Sequence, residues 1–353
     1  MHTSLAGILS TRQYLKDTFY QVIYEWEDDL ARQLAVPLKS ALPKWRRTFL
    51  NNLTRPVLTR LGALDQVNNW VEAWHPTRPR RGTYLVFELG ANTTANFSTS
   101  AYAIPAFIDL WQNTDWQALA RQYRYCPLVL VSSLETVQYM QVLGSPLPVA
   151  HFPLSLSDRY RTTPDQVFAK QYDLVLAGRT NPVLASFVRT FSERNPTVEV
   201  VSQQEVDGQF QYVSNHRGAL GPLADRSEYL DLLRKARISV YSTPGIDGGE
   251  ARTGGFNPVT PRYLELLHAR CRLIGRYPDN AETRFYELAQ VCPHVDTYAE
   301  FEALMHQYLA QESGPLPAYE AILSKHYTSC RATLLQRLLS GEMVSPDPAT
   351  HIF

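Results

Sequence analysis

The sequence predicts an α/β protein built from two Rossmann-like domains that face a central cleft. A chain of 353 residues is longer than a single hydrophobic core usually organises. Short apolar runs alternate with amphipathic segments, which is typical of parallel strands joined by crossover helices. The polar, proline-containing stretch 155–166 interrupts this alternation. We therefore expect an N-terminal domain at 1–155, a C-terminal domain at 156–325 and a helical segment at 326–353.

In the first half, the apolar runs predict four strands and two helices. The strands are expected at 83–89, 105–111, 126–133 and 148–154, and the helices at 114–123 and 134–143. Before residue 83, periodicity does not separate a strand at 18–24 from the beginning of a longer helix. We expect a strand followed by a helix in that region.

In the second half, the alternation begins again and continues to the predicted C-terminal helices. Strands are expected at 172–178, 197–202, 210–214, 238–242 and 272–277, and helices at 183–193, 228–236, 261–271 and 318–339. In sheets of this kind, ligands bind beyond the carboxyl ends of the strands. The loops that follow the strands are therefore where we expect the functional residues.

Charge and cysteine content exclude several classes of protein. Thirty-four Lys and Arg residues balance thirty-four Asp and Glu residues, which is not the pattern of a dedicated nucleic-acid binder. The four cysteines are widely spaced and form no C-x-x-C pair, so neither a zinc cluster nor a disulfide framework is indicated. With no signal-peptide pattern at the N-terminus, we expect a cytoplasmic protein.

The segment 39–81 is locally basic within this neutral protein. It holds nine Lys and Arg residues and two acidic residues. One interpretation is an ordinary solvated surface. The other is peripheral contact with anionic lipid at the inner membrane face, or with a lipid-pyrophosphate acceptor.

A glycine-rich loop follows the strand predicted at 238–242. Five of the seventeen glycines lie within the eleven residues 245–255. Because glycine permits positive φ and a close approach of the backbone to a ligand, this loop is a candidate substrate site. Its candidate binding residues are Thr243, Gly245 and Asn257.

The helix after this loop has the features of an anion site. Thr260 is a good N-cap residue, and Pro261 suits the first helical position. The free N–H groups of such a first turn attract phosphate. Arg262 and Glu265 are three residues apart and share a helix face, which we expect to line the cleft. An arginine there suits a phosphate, and a carboxylate suits ribose hydroxyls.

The segment 260–276, TPRYLELLHARCRLIGR, resembles the donor domain of GT-B glycosyltransferases, especially the group 1 and spore-maturation-like branch. The likeness extends over about residues 170–310, with a helix, a strand and a helix expected at 280–289, 292–298 and 299–309. It implies that Glu265 holds the ribose of a nucleotide and that Arg179 holds the donor phosphates. It also implies that the C-terminal helix packs back toward the first domain.

Two positions depart from the pattern of that family. Asn257 stands where many group 1 enzymes have a glutamate that touches the donor sugar. The lysine that usually follows the phosphate-binding arginine is missing after Arg179, and Arg262 or Arg276 would have to supply the second charge. No D-x-D pair is present, so we expect metal-independent chemistry with no cofactor besides the nucleotide-sugar co-substrate.

Catalytic candidates in the first half are acidic residues or histidines near strand ends. Glu88, at the end of the strand 83–89, and His151, in the strand 148–154, are the leading choices for deprotonating an acceptor hydroxyl. Asp109 and a set of acidic residues follow, namely Glu25, Glu27, Asp28 and Asp29.

Together, the residues and the resemblance predict a glycosyltransferase. It would move a sugar from a nucleotide-diphosphate donor to a saccharide or lipid-linked acceptor in surface polysaccharide synthesis. The alternatives are a non-catalytic glycosyltransferase-like module that retains the nucleotide site, favoured by Asn257, or a sugar-nucleotide epimerase on the same fold.

Overall fold

Two six-stranded sheets organise the protein, in a computed structural model that describes residues 4–40, 82–91, 97–111, 113–206 and 209–342. Each sheet belongs to a separate compact unit. The first unit contains the described residues up to Leu154 and those from Thr328 onward, and the second contains Ser155–Tyr327. Most of the basic segment 39–81 lies outside the described residues, so its expected membrane contact remains a prediction.

The first sheet is parallel throughout its described pairs. Its strand order is β2-β1-β3-β4-β5-β6. The strands are β1 (Leu5–Ser10), β2 (Leu38–Ser40), β3 (Thr83–Glu88), β4 (Ala103–Phe107), β5 (Val129–Val131) and β6 (Val149–His151). The order reverses at β1 and β3, which makes the gap beyond their carboxyl ends the place where ligands bind in such sheets.

Four described helices accompany the first sheet: α1 (Gln21–Gln33), α2 (Trp116–Gln122), α3 (Leu134–Val142) and α11 (Thr328–Leu339). Side-chain caps fix the starts of α2 and α3, since Asp115 accepts from Ala118 N and Ser133 accepts from Thr136 N. The C-terminal helix α11 packs against α1. Arg331 of α11 also donates to the carbonyls of Pro153 and Leu154.

The strand predicted at 18–24 is wrong, whereas the helix predicted after it is present as α1. Thr18–Tyr20 form a 3₁₀ turn, residues 21–24 begin α1, and the first strand is instead Leu5–Ser10. The residues that α1 buries include Ile23, Trp26 and Leu30, spaced three and four apart as on one helical face. Packing of that face, which periodicity over seven residues cannot show, selects the helix.

The second sheet combines four parallel strands with an antiparallel extension. Its order is β10-β9-β8-β7-β11-β12. The strands are β7 (Tyr172–Leu176), β8 (Val200–Val206), β9 (Gln209–Ser214), β10 (Gly218–Gly221), β11 (Ala236–Ser242) and β12 (Arg272–Arg276). Strands β9 and β10 each run antiparallel to their neighbour. The predicted doubly wound α/β class is thus confirmed in both sheets, and the strand order of the second sheet reverses between β7 and β11.

Seven helices of the described chain belong to the second unit. They are α4 (Pro182–Arg194), α5 (Arg226–Arg234), α6 (Pro261–His268), α7 (Ala281–Phe285), α8 (Leu288–Val291), α9 (Tyr298–Ala310) and α10 (Pro317–Leu323). A buried core of aliphatic and aromatic side chains joins the sheet to α4 and α9; it includes Leu174, Leu184, Phe191, Ile238 and Phe301. This core holds β7 and β11 in place beneath the loops that carry the candidate site.

Three details near the C-terminus differ from the prediction. The helix expected at 280–289 is two short helices, because Glu287 between them adopts φ 56°. Residues 292–298 form no strand, only an isolated bridge between His294 and Gly275. The helix expected at 318–339 is divided into α10 and α11, which belong to different units.

Candidate functional site

The candidate residues of the second unit gather where β7 and β11 end. Arg179 lies three residues after β7, and the glycine-rich loop 243–260 joins β11 to α6. Because β7 and β11 are adjacent and parallel, both loops leave the same edge of the sheet. This edge is called the arginine edge below, after Arg179, Arg226, Arg252, Arg262 and Arg276.

Arg262 is placed over the loop that follows β7. Its Nη1 donates to the Arg179 carbonyl at 2.8 Å. Gly178 has φ +65°, and a Cβ on it would lie 2.5 Å from Arg262 Nη2. A side chain at position 178 would therefore need both a strained backbone and a displaced guanidinium. Among the described residues, no carboxylate forms an ion pair with Arg262.

Electrostatic influence of Arg262 reaches a buried tyrosine on β9. Tyr212 is 4% exposed, and this burial raises the pKa of its hydroxyl. The positive charge of Arg262 and a hydrogen bond with the Gly178 backbone act in the opposite direction. The guanidinium thus lies close enough to the sheet for its field to be felt in a low-dielectric region.

Glu265 is enclosed rather than facing open space. Its side chain is 5% exposed, and its Oε1 accepts from Arg226 Nη1 at 2.5 Å. Arg226, the first residue of α5, is itself 10% exposed in its side chain. The expectation that Arg262 and Glu265 form one open polar face needs correction, since residues 263–268 of α6 are all buried.

The start of α6 has the predicted backbone but a different hydrogen bond. Thr260 occupies the N-cap position with φ −100° and ψ 159°, and Pro261 is the first helical residue. The Thr260 hydroxyl makes no cap bond to the helix. Thr260 N donates instead to the Tyr241 hydroxyl at 3.0 Å. The N–H groups at this helix end are therefore not capped by the threonine, which keeps them suited to an anion.

Arg179 is exposed and shares a carboxylate with a second arginine. Its Nη1 is ion-paired with Glu250, whose Oε1 and Oε2 also accept from Arg252. The Arg179 side chain is 80% exposed. Hydrogen bonds from Arg252, together with the charge of Arg179, hold the pKa of Glu250 at about 2. Two guanidinium groups and one carboxylate leave this part of the edge positive.

Arg276 forms an ion pair with an aspartate of the glycine-rich loop. Asp247 accepts from Arg276 Nε at 2.5 Å and from Nη2 at 2.9 Å. Asp247 also accepts from Asn181 Nδ2 at 2.9 Å, and Asn181 caps α4 by accepting from Val183 N. The hydrogen bonds from Arg276 lower the pKa of Asp247. In this arrangement Arg276 ties the loop to the end of β12.

The glycine-rich loop is folded on itself. The space that a Cβ would take on Gly245 is filled by the Phe256 carbonyl oxygen at 2.1 Å. Thr243 Oγ1 donates to Asn257 Oδ1 at 2.8 Å, which joins the two ends of the loop. Thr243, Gly245 and Asn257 therefore contact other parts of the loop, and the close approach at Gly245 is one between two backbone segments.

The balance of charge gives the arginine edge its chemical character. Four of its five arginines contact four carboxylates, namely Asp247, Glu250, Glu265 and Asp296. An anionic group with several oxygens would complement the remaining positive charge and the N-terminal end of α6. Within the described residues, no group of three or more His, Cys, Asp or Glu side chains is arranged to hold a metal ion.

In the first unit, the two leading catalytic candidates lie at one edge but apart. Glu88 and His151 end β3 and β6, and β4 and β5 lie between them. Three strand spacings correspond to roughly 14 Å. Glu88 is partly exposed, whereas His151 is 6% exposed and its Nε2 donates to the Ser132 carbonyl at 3.1 Å. Asp109, the next candidate, is exposed beyond the end of β4.

A buried glutamate with a raised pKa lies beside the end of β1. Glu27 of α1 is 1% exposed and accepts from Arg12 Nη2 at 3.1 Å. Burial raises the pKa of Glu27 to about 7, against the opposing hydrogen bonds from Ser10 and Arg12. Ser10 is the last residue of β1, at the point where the strand order of this sheet reverses.

Sequence reasoning missed several residues that organise the arginine edge. Arg226, Asp247 and Glu250 were not candidates, although each contacts a residue that was, and Asn181, which donates to Asp247, was not a candidate either. The Asn181-Pro182 pair is a helix-start signal that would have marked the loop after β7. Arg226 follows an N-cap aspartate, but its pairing with a residue thirty-nine positions away left no local signal.

Comparison with known proteins adds little at the level of sequence. No protein-family model matches the chain, and no curated protein matches it. A solved structure titled "Crystal Structure Analysis of the Glycotransferase of kitacinnamycin" is similar over 88% of this chain and 88% of its own chain, at 14% identity and a TM-score of 0.37. At that TM-score the likeness assigns no residue a role. No helix in the described part of the chain has the length and apolar character needed to cross a bilayer.

Proposed function

We propose that the protein is a glycosyltransferase that uses a nucleotide-diphosphate sugar as donor and a saccharide or lipid-linked acceptor. The observation that carries the proposal is the placement of Arg262. This arginine has no carboxylate partner among the described residues, lies at the first turn of α6, and sits over the Gly178 loop at the reversal of strand order. A diphosphate is the ligand whose charge and multiple oxygens best complement this arrangement.

In the proposed reaction, the arginine edge stabilises the departing nucleoside diphosphate. Negative charge grows on the phosphate oxygen as the bond to the sugar breaks, and Arg262 with the N-terminal N–H groups of α6 would meet that charge. Arg179 is exposed and would add a second contact to the phosphates if its guanidinium left Glu250 for the ligand. Glu265 is enclosed, but its Oε2 accepts no hydrogen bond from a described residue, so a ribose hydroxyl that reaches this oxygen would donate to it.

The acceptor hydroxyl needs a base if the reaction inverts the sugar. We assign that role to Glu88 in preference to His151, because Glu88 is partly exposed at the strand reversal while His151 is engaged with Ser132. The carboxylate of Glu88 would take the hydroxyl proton as the oxygen attacks the anomeric carbon. Synthesis of a surface polysaccharide is the process we propose for such an activity.

A non-catalytic nucleotide-binding module is the second candidate function. It is favoured by the bond between Thr243 and Asn257, which occupies the residue expected to touch the donor sugar. A panel of sugar nucleotides incubated with saccharide acceptors separates the two. Released nucleoside diphosphate with a glycosylated product supports the transferase, whereas nucleotide binding without turnover supports the module.

The direct test measures nucleotide affinity in an Arg262→Gln variant. Titration calorimetry with UDP, GDP and dTDP should detect at least one ligand of the unaltered protein. Loss of a charge-assisted hydrogen bond should weaken that affinity roughly tenfold or more. Arg284→Gln is the matched control, since Arg284 is a surface arginine of α7 paired with Asp279. Binding of none of these nucleotides, or equal affinity in both variants, would contradict the proposal.

A further inference from the structure

A second basic site lies at the opposite edge of the second sheet. A pocket there is lined by four cationic side chains, Lys170, Arg237, Arg270 and Arg272, together with Tyr308 and residues of the loop after α9. Lys170 precedes β7, Arg237 is the second residue of β11, and Arg272 begins β12. These positions are the amino ends of parallel strands, so the pocket is separate from the arginine edge.

Two of the four cations have no carboxylate partner among the described residues. Lys170 Nζ donates to the carbonyls of Arg234 at 3.0 Å and Ala269 at 2.8 Å. Arg272 Nη2 donates to the Glu312 carbonyl at 3.2 Å, and its guanidinium carbon lies 5.6 Å from the centroid of the Tyr308 ring. Neutral partners satisfy hydrogen bonds but do not neutralise the charge.

The other two cations are each paired once. Arg237 contacts Asp173 at 3.2 Å, and Arg270 contacts Glu320 at 3.1 Å. Arg270 is 3% exposed, and its Nε–H has no hydrogen-bond partner in the described part of the chain. The pocket therefore combines four positive charges, two carboxylates and one unused buried donor.

An ordinary structural role explains part of this cluster. Several of the carbonyls that these side chains bind belong to helix ends, where cations complement the helix dipole: Arg234 ends α5, and Leu309, Gln311 and Glu312 lie at the end of α9. That role accounts for the contacts but leaves an excess of two positive charges. Burial, with repulsion from Arg270, also lowers the pKa of Lys170. An anion in the pocket would offset the excess positive charge, and its negative charge would raise the pKa of Lys170 again.

We propose that this pocket binds a phosphate group. Phosphate suits it because an oxyanion accepts several charge-assisted hydrogen bonds at once and matches the planar fork of an arginine. Free orthophosphate and the headgroup of an anionic lipid share this chemistry. The site is independent of the proposed nucleotide site, which lies at the other end of the same strands.

The test measures the melting temperature of the full chain in orthophosphate and in sodium chloride of equal ionic strength. A ligand that binds only the folded state raises the melting temperature. Gln311→Glu adds a negative charge to the pocket wall and leaves the Gln311 carbonyl bond to Arg237 in place. Arg272→Gln removes one cation, and Arg284→Gln removes a surface cation elsewhere as the control.

The proposal predicts a phosphate-specific rise in the unaltered protein and in Arg284→Gln, and a loss of at least about tenfold in phosphate affinity in the two pocket variants. No rise beyond the chloride control would overturn it, as would equal affinity in all variants. Loss of the effect in Arg262→Gln alone would also overturn it, because the phosphate would then bind at the arginine edge. Sedimentation with phosphatidic acid vesicles distinguishes the two sources. If the unaltered protein sediments with the vesicles and Gln311→Glu does not, the ligand is a lipid headgroup. If the unaltered protein does not sediment with them, the ligand is free phosphate.

Discussion

The carboxyl edges of the two sheets carry opposite chemistry on similar frameworks. In both sheets the strand order reverses beside the first strand of the unit, between β1 and β3 and between β7 and β11. At the first reversal lie Glu27 and Glu88, and Glu27 is buried with its pKa raised to about 7. At the second lie five arginines, and the pKa values of Asp247 and Glu250 are lowered. The first edge is thus suited to holding or accepting a proton, and the second to holding an anion.

The largest expected effect concerns the buried ion pair of the arginine edge. Glu265→Ala should lower the free energy of unfolding by about 3–5 kcal/mol, because Arg226 stays in a low-dielectric site without this carboxylate. Chemical denaturation measures the loss. The double variant Arg226→Met with Glu265→Leu should recover most of it, since both charges are then absent. A cost below about 1 kcal/mol for the single variant would mean that the pair is solvated and that the edge is open.

The second prediction concerns the pH dependence that Glu27 contributes. The folded protein keeps a proton on this carboxyl up to a pH of about 7, whereas its ordinary pKa is 4.5. Between these pH values the folded state binds more protons than the unfolded state, so the free energy of unfolding falls as the pH rises. Above pH 7 the contribution of Glu27 no longer changes with pH. The difference corresponds to about 3 kcal/mol.

Glu27→Gln should remove that slope, which denaturant titrations at pH 5, 6, 7 and 8 would measure. Glu193→Gln, at an exposed position on α4, is the matched control and should keep the slope of the unaltered protein. Parallel pH profiles for all three proteins would show that Glu27 does not titrate in this range. The first edge would then have no group that exchanges a proton near neutral pH, and the contrast between the two edges would be wrong.

The smallest of these effects tests the contact between Gly178 and Arg262. Gly178→Ala should cost about 1–2 kcal/mol, because an L residue at φ +65° is strained. The same Cβ should displace the guanidinium and weaken the nucleotide binding that we propose. Gly144→Ala, also at a positive φ of 63° but with no neighbouring atom within 4 Å, separates the two causes. If both variants bind nucleotide equally well, Arg262 does not depend on this approach.

The sequence supports most of the architecture because its strands and helices differ in period. Runs such as 172–178 and 238–242 are short, apolar and bounded by polar residues, and the structure has strands there. The first strand, Leu5–Ser10, was missed because a short run containing a glycine has little periodicity. The break at Glu287 depends on a single backbone conformation that no local pattern marks.

The contacts within the candidate site were less accessible to sequence reasoning. Arg262 and Glu265 are near each other in sequence, and their types indicate phosphate and ribose chemistry. Yet Glu265 is paired with a residue on another helix, and the Thr260 backbone is held by Tyr241, nineteen residues away. Long-range packing decides which polar groups are enclosed, and periodicity does not report it.

The path of the chain between the two units has a practical consequence for dissecting them. The second unit is continuous from Ser155 to Tyr327, whereas the first is completed by α11, which packs on α1. Cutting the gene once after residue 154 would strip α1 of its covering helix and bare part of the surface around it. Excising the insert and splicing residue 154 to residue 328 through a short flexible linker would preserve that partner, much as a host domain survives removal of a guest.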